Sequence, residues 1–322
     1  YHVSDDFSFS DSFTKSFHEF STEISDKYQD VKNYLNLIKE KSTLSEPGYM
    51  KFTTKKLSII EKSNIFFKNV IKRFSNISLI NIHSKNYYLN ILSDFFSSTL
   101  KKRRFKESIK NHDLLVKNKE HENYIYFPLH YQPENSTNPL GSFYTDHFLC
   151  LSILSKCLPK NWHVYVKEHD AQHKYPSGYL GRDINYYSRI NSIENVSIIK
   201  SNKQEHFDLI HKARAVATIT GTAGFEAFVL SRPVIVFGEI FFSNGPNVYR
   251  VKNDNDCKIA IDNINNNNVI NSKETINQYI NCLMSDCAKI QFGNTDALWL
   301  GKEGYDENEN KEKFKKIINQ FI

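Results

Sequence analysis

The sequence predicts an α/β fold with a mostly parallel, Rossmann-like sheet and helices on both of its faces. From residue 121 onward, short apolar runs typical of buried strands alternate with segments whose apolar spacing is helical. Strands joined by intervening helices run parallel, because each helix carries the chain back to the same edge of the sheet. The predicted strands are 124–129, 162–167, 196–199, 215–219 and 234–237, and the predicted helices between them are 144–158, 184–190, 206–213 and one that ends at Leu230.

Residues 1–120 have a different composition and predict a separate, mostly helical region. They are rich in Ser, Lys and Phe and nearly free of Gly and Pro. Apolar spacing predicts helices over 27–41 and 59–74, and a short strand is predicted at 78–82. We interpret 1–120 as the remainder of an amino-terminal domain.

The second half of the chain predicts one Rossmann-like domain over 121–292. Helices predicted at 275–288 and 311–321 either complete this domain or, through the segment 293–322, cross back to the first one. The chain starts at Tyr1 without a methionine or a signal-like segment, so we expect it to be part of a longer protein.

Composition and charge are those of an ordinary soluble protein. The 322 residues suffice for two domains, with 40% hydrophobic and 24% charged residues. The net charge of +6 is mild, and the densest basic cluster, 101–104, is interpreted as a solvated helix end, with contact to an anionic inner leaflet as the alternative. No apolar run approaches the length of a membrane span, and the five cysteines form no CxxC pair. We predict a reduced, cytosolic protein or one peripheral to the inner face of the plasma membrane, without a nucleic-acid partner.

The most informative segment is a small-residue turn after the fourth predicted strand. Thr220-Gly221-Thr222 leads into a predicted helix that contains Gly224 and Glu226. Glycines let a ligand approach the backbone, threonine hydroxyls donate hydrogen bonds, and the N–H groups at a helix start favour an anion. We predict a phosphate site here, with Glu226 in the first helical turn and placed to accept hydrogen bonds from ribose hydroxyls. The alternative is a tight turn whose glycines serve packing alone.

Two further loops carry polar side chains at the same edge of the predicted sheet. The loop after the first strand contains Gln132 and Glu134 with Pro133 between them, and Glu134 is a candidate general base or a stabiliser of positive charge on a sugar ring. The loop after the second strand contains Lys167 and His169, whose spacing directs both side chains to one phosphate or carboxylate. The alternatives are a capping or lysine-paired carboxylate, a solvated lysine and a histidine that is bonded locally.

These motifs resemble the bacterial capsule polysaccharide biosynthesis proteins, a group that includes the Kdo transferases of capsule export systems. The resemblance is carried by the segments 127–134, 162–169, 220–227 and 233–238, and it covers about residues 121–250. It implies a GT-B fold of two Rossmann-like domains, of which the first is partly missing or mostly helical in this chain. The second domain would bind the nucleotide-sugar donor.

The resemblance also implies roles for individual residues. In related CMP-sugar transferases, a Lys-x-His-Pro segment and a small hydroxyl turn hold the CMP phosphate. Lys167 and His169 match the first motif, and Thr220 and Thr222 match the second, with Gly221 between them. Glu226 would then bind the ribose.

The chain departs from the family pattern at two positions. Asp170 stands where the family usually has proline. The Kdo transferases carry Gln-x-x-x-Asp after the first strand, whereas here Gln132 is followed by Ser136 at the aspartate position. Glu134 would then supply the catalytic carboxylate, with His169 as the second candidate catalytic residue and Gln132 and Ser136 as substrate contacts.

The function implied is that of a metal-independent glycosyltransferase without a cofactor other than its nucleotide-sugar co-substrate. The preferred donor is CMP-Kdo or another CMP-nonulosonate, and the acceptor is a capsule or lipopolysaccharide glycan or glycolipid. Asp254-Asn255-Asp256 has the D-x-D spacing of some metal sites, but we interpret it as a solvated loop. The alternatives are a UDP-sugar 2-epimerase of the same fold and a non-catalytic glycan-binding or assembly protein.

Overall fold

The computed structural model describes most of the predicted Rossmann-like domain and parts of the first 120 residues. The described residues are 17–40, 100–101, 103–133, 137–173, 178, 180–200, 203–269, 272–285 and 312. The predicted helix 59–74 and strand 78–82 lie outside them, as does nearly all of the predicted helix 311–321. Two predicted site residues, Glu134 and Ser136, also lie outside them.

Six parallel strands form the sheet and confirm the predicted α/β class. Every one of the five strand pairings is parallel, and the order across the sheet is β3-β2-β1-β4-β5-β6. Five of the strands coincide with predicted ones to within two residues at either end. The strands are β1 (Tyr124–Pro128), β2 (His163–Lys167), β3 (Val196–Ile199), β4 (Ala215–Thr218), β5 (Val234–Val236) and β6 (Val248–Arg250).

Eight α-helices of six or more residues accompany the sheet among the described residues, in addition to the four-residue helix Thr137–Leu140. Their bounds are α1 (Gln29–Lys39), α2 (103–115), α3 (His147–Cys157), α4 (Tyr186–Asn191), α5 (Lys203–Lys212), α6 (Thr222–Val229), α7 (Asp254–Asn265) and α8 (Lys273–Ser285).

Helix α7 differs from the prediction of a solvated loop at Asp254-Asn255-Asp256. These residues form its first turn, where acidic side chains favour the helix dipole. The Asn253 side chain caps the helix by accepting a hydrogen bond from the Asp256 N–H at 3.0 Å. The acidic spacing therefore serves a helix start.

Hydrophobic cores cover both faces of the sheet, as predicted. Successive residues of β1 alternate between them, so Ile125 and Phe127 enter one core while Tyr124 and Tyr126 enter the other. The first core contains buried residues of α3, α4 and α7, and the second contains residues of α1, α5, α6 and α8. Packing on both faces of the sheet fixes the ends of the strands, from which the polar loops extend.

The segment before α1 is tied to α8 by one buried amide. The Asn281 side chain donates to the carbonyl oxygens of Ser21 and Glu23, at 2.8 and 2.7 Å, and accepts from the Ser25 N–H at 3.2 Å. These bonds hold the start of α1 against the face of the sheet that carries α6 and α8.

Candidate functional site

The strand order creates a crevice at the carboxyl ends of β1 and β4. Strand β1 pairs with β2 on one side and with β4 on the other, so the connections leave the sheet in opposite directions at this point. Ligands of open α/β sheets bind where the order reverses in this way. The loops after β1, β2 and β4 border the crevice, and they are the three loops in which the sequence predicts a site.

The turn after β4 is held by the protein's own acceptors. The Thr220 N–H donates to His130 Nε2 at 3.2 Å, and the Gly221 N–H donates to Thr218 Oγ1 at 3.0 Å. Helix α6 begins at the next residue, Thr222, and no described side chain caps its N terminus. The Thr222 side chain is exposed. An anion at this turn would therefore meet the start of α6 and the Thr222 hydroxyl rather than the Thr220 and Gly221 N–H groups.

Two glycines allow the close packing of this turn. A Cβ atom on Gly221 would lie 2.8 Å from Thr218 Oγ1 and 3.0 Å from His130 Nε2. A Cβ atom on Gly224 would lie 2.7 Å from Thr218 Cγ2. Both glycines thus serve packing, as the alternative interpretation of the turn predicts, and the same packing brings the helix start close to the crevice.

A chain of hydrogen bonds runs through two buried histidines beside the turn. The His147 Nε2 atom accepts from the His130 N–H at 3.2 Å and lies 3.3 Å from His130 Nδ1, while His147 Nδ1 lies 2.8 Å from Tyr186 Oη. Burial, with Arg182 and His130 nearby, holds the pKa of His147 well below its ordinary value. A neutral His147 that accepts at Nε2 carries its proton on Nδ1. His130 then donates from Nδ1 and accepts from Thr220 at Nε2, which fixes the turn.

A buried ion pair joins the loop after β1 to the loop after β2. Arg182 donates to Glu168 at 2.8 and 3.0 Å and to the carbonyl oxygen of His130 at 2.8 Å. Glu168 also accepts from the Tyr187 hydroxyl at 2.5 Å and from the His169 N–H at 2.6 Å. Burial opposes ionisation of Glu168, but Arg182 and these hydrogen bonds hold the pKa of its carboxyl below the ordinary value. The two loops therefore form one braced unit.

The predicted phosphate ligands Lys167 and His169 lie at the end of β2, and each has a protein partner. The Lys167 ammonium donates to Asp170 Oδ1 at 2.9 Å, and its side chain is only 9% exposed. His169 Nδ1 accepts from the Ala171 N–H at 3.1 Å, so the Nε2 atom carries the proton. An anion bound by Lys167 would share the ammonium with Asp170, the residue that replaces the family's proline.

Gln132, a predicted substrate contact, has its backbone fixed by a buried amide. Its N–H donates to Gln172 Oε1 at 2.8 Å, and its carbonyl oxygen accepts from Gln172 Nε2 at 2.8 Å. Gln172 is fully buried and donates also to the Gly178 carbonyl oxygen. This two-bond pairing sets the direction in which the chain leaves β1.

The far side of the same loop returns to the turn after β4. Thr137 is fully buried, and its Oγ1 atom lies 3.3 Å from Thr220 Oγ1. Thr137, the first described residue after Glu134 and Ser136, thus contacts the turn after β4.

Glu226 differs from the prediction in its place on the helix. Because α6 starts at Thr222, Glu226 is its fifth residue and lies beyond the first turn, where the helix dipole would favour it most. The carboxylate is buried and lies 2.7 Å from His206 Nε2, and His206 Nδ1 lies 3.0 Å from the Tyr126 hydroxyl. The sequence pattern indicates Glu226 but not the histidine that contacts it.

The sequence predictions also missed the buried pair Glu168–Arg182 and the histidine His147. Glu168 stands between Lys167 and His169 in a loop that was predicted to bear a site, so the loop gave a signal for it. Arg182 lies fourteen positions further on in an irregular segment, and no spacing rule connects the two residues.

The described part of the chain contains neither a metal-binding cluster nor a membrane-spanning helix. Among these residues, no group of three or more His, Cys, Asp or Glu side chains could hold a metal ion. None of the helices within the described ranges has both the length and the apolar character needed to cross a bilayer.

Comparisons with known proteins place the chain in a family. The sequence model described as "Capsule polysaccharide biosynthesis protein" matches residues 35–247. No curated protein matches the chain. Two solved structures are similar to it. The first is the Thermosulfurimonas dismutans KpsC β-Kdo 2,7 transferase, with 16% identity, a TM-score of 0.32 and coverage of 50% of this chain and 52% of that structure. The second is the KpsC β-Kdo 2,4 transferase of the same organism, with 16% identity, a TM-score of 0.28 and coverage of 51% of this chain and 55% of that structure.

The chain spans about half the length of each of these two structures. The family match is broader, because it covers 213 of the 322 residues, counted from 35 to 247 inclusive. On that match, the chain belongs to the capsule polysaccharide biosynthesis protein family.

Proposed function

We propose that the chain is a glycosyltransferase that moves a sugar from a CMP-linked donor onto a capsule or lipopolysaccharide glycan or glycolipid. The proposed sugar is Kdo or another nonulosonate. Membership of the capsule polysaccharide biosynthesis family supports the biological setting. The observation that carries the proposal is the convergence of three polar loops at the β1–β4 crevice of a parallel sheet.

The donor phosphate fits the start of α6. An N terminus without a side-chain cap offers N–H groups and the positive end of a helix dipole to an anion. Thr222 adds a hydroxyl at the same point, and Lys167 adds positive charge from the end of β2. Dipoles fixed by the packing of Gly221 and Gly224 need no reorganisation when charge develops on the leaving phosphate.

The proposed chemistry uses the loop after β1. Glu134 would act on the acceptor hydroxyl as a general base or stabilise positive charge on the sugar ring. His169 is the second candidate, because it follows Lys167 at the end of β2 and carries its proton on Nε2. The brace formed by Arg182 and Glu168 fixes the backbone of His169 and of His130, so both loops keep their geometry during the reaction.

Calorimetric titration with CMP, UDP and GDP tests the donor site. We expect CMP to bind most tightly to the parent chain. Thr222→Val should weaken CMP binding by about twofold to tenfold, because it removes one hydroxyl donor. The matched control is Thr275→Val, in the first turn of α8 on another part of the domain, which should leave CMP affinity unchanged.

Two results would contradict the proposal. Absence of binding by all three nucleotides would remove the donor site. Equal CMP affinity in Thr222→Val and the parent would place the phosphate away from the start of α6.

A further inference from the structure

Three side chains from three elements form a continuous chain of hydrogen bonds at the edge of the crevice. The hydroxyl of Tyr126, in β1, lies 3.0 Å from His206 Nδ1. The Nε2 atom of His206, in α5, lies 2.7 Å from Oε2 of Glu226, in α6. Tyr126 is fully buried, and the side chains of Glu226 and His206 are 8% and 20% exposed. The Glu226 carboxylate is thus bound by a side chain of the protein, and its His206 partner remains partly exposed to solvent.

The protons in this chain follow from its chemistry. An ionised Glu226 only accepts, so the bond at 2.7 Å requires the proton on His206 Nε2. Neutral imidazole then accepts at Nδ1, and the Tyr126 hydroxyl donates to it. Burial raises the pKa of Tyr126 well above its ordinary value, with Glu226 and Asp170 adding to the effect, so this hydroxyl keeps its proton. Every member of the chain is therefore satisfied in one arrangement.

One oxygen of Glu226 is left for a ligand. Within the described ranges, the hydrogen bond found to this carboxylate goes to Oε2, and none is found to Oε1. Helix α1 packs beside this part of α6, and burial raises the pKa of its Tyr34 to about 12, with a smaller contribution from Glu226. The Tyr34 ring also stacks on Phe225, with ring centroids 6.4 Å apart. Helix α1 thus lies beside Phe225, and α5 contacts the Glu226 carboxylate through His206.

We propose that Tyr126 and His206 are positioning residues that hold Glu226 so that its Oε1 atom accepts a hydrogen bond from a ribose hydroxyl of the bound nucleotide. This inference rests on the proposed function, since it requires that the crevice bind a ribonucleotide. A carboxylate with one oxygen fixed at 2.7 Å loses little freedom when its other oxygen meets the ligand, and a charged acceptor gives a strong bond to a hydroxyl. The site should therefore bind a ribonucleotide more tightly than the analogue that lacks the ribose hydroxyls.

The test compares CMP with 2′,3′-dideoxy-CMP by calorimetric titration, because the second ligand lacks both ribose hydroxyls. The parent should bind CMP about tenfold or more tightly than the dideoxy analogue, as expected for a hydrogen bond to a charged group. His206→Ala should reduce this ratio to about twofold or less while leaving the affinity for the dideoxy analogue unchanged. His206→Gln should restore most of the ratio, because its amide N–H can donate to Glu226.

Tyr126→Phe removes only the hydroxyl and provides a second measurement of the affinity ratio between CMP and its dideoxy analogue. This variant tests the positioning role if His206→Ala does not fold. We expect a ratio between those of the parent and of His206→Ala. The matched control is His211→Ala, on the same helix α5 but five residues further along, which should keep the parent ratio.

The outcomes separate this inference from the proposed function. A parent that binds CMP, combined with an unchanged ratio in His206→Ala or in Tyr126→Phe, overturns the positioning role alone. A parent that binds neither ligand overturns both. An equal loss of affinity for both ligands in His206→Ala also overturns the positioning role, because it shows a structural contribution to the whole site.

Discussion

The Arg182 guanidinium holds the Glu168 carboxylate with two hydrogen bonds, at 2.8 and 3.0 Å, and both side chains are buried. The same guanidinium donates to the His130 carbonyl oxygen, so one residue connects the ends of β1 and β2. His130 in turn accepts from the Thr220 N–H. The geometry of the turn after β4 therefore depends on an ion pair on the opposite side of the crevice.

Glu168→Gln should destabilise the protein by about 3–5 kcal/mol, because it leaves the Arg182 charge buried without a carboxylate. Urea unfolding of the parent and the variant gives the free energies of unfolding. The control is Glu107→Gln in the exposed pair with Arg103, where the side chains are 45% and 80% exposed and a change below about 0.5 kcal/mol is expected. Equal effects at the two positions would contradict a bracing role for the buried pair.

Stability should fall as the pH drops below the ordinary histidine pKa of 6.5. Burial lowers the pKa of His147 far below this value, and that of His163 to about 4. The unfolded chain therefore takes up protons near pH 6.5 that the folded protein does not bind, so the free energy of unfolding decreases with falling pH. Glu168, whose pKa is lowered, adds a loss at lower pH, beginning near its ordinary value of 4.5.

His147→Gln should show a shallower loss of stability between pH 7.5 and 5.5 than the parent. The measurement is the free energy of unfolding at both pH values, from urea titrations. An identical slope in the parent and the variant would mean that protonation of His147 does not contribute to acid destabilisation.

Asp170→Asn should strengthen CMP binding by about threefold to tenfold, because it frees the Lys167 ammonium from a competing carboxylate at 2.9 Å. Calorimetric titration measures the affinity. Asp262→Asn, an exposed position on α7, is the control for the same change in net charge and should have little effect. If both variants change CMP affinity alike, the phosphate does not contact Lys167.

The sheet could be predicted from the sequence. The chain of hydrogen bonds through the buried His130 and His147 could not. Strands β1 to β5 are mostly apolar, which is the pattern of buried parallel strands. Strand β6 is short and half-buried, so Val248-Tyr249-Arg250 gave no such pattern. Helix α7 begins with polar residues, and this start was interpreted as a loop although Asn is a favoured capping residue.

The candidate site was predictable only at the level of loops. The positions of Thr220 and Lys167 followed from their places at the ends of strands, because parallel strands end at one edge. Glu226 was predicted in the first turn of its helix and lies beyond that turn. The partners of these residues did not follow. His206 lies twenty positions before Glu226 and on another helix, and no periodicity of the sequence relates the two.

Glu134→Gln should preserve CMP affinity and reduce the rate of sugar transfer by about 10²–10⁴-fold, the usual contribution of a positioned acid or base. The affinity comes from calorimetric titration and the rate from single-turnover transfer. Near-parental transfer would exclude Glu134 from the mechanism. Loss of folded protein would instead favour a structural role for this carboxylate in its loop.

Acceptor-dependent release of CMP from CMP-Kdo tests the account most directly. The parent chain is incubated with CMP-Kdo and a lipid-linked glycan fraction from capsule-producing bacteria, and CMP and glycan masses are followed by mass spectrometry. We predict that CMP release requires the glycan and that the glycan gains one sugar residue per CMP released. Conversion of a UDP-sugar to its epimer without any acceptor, or no transfer from any CMP-sugar, would contradict the proposal.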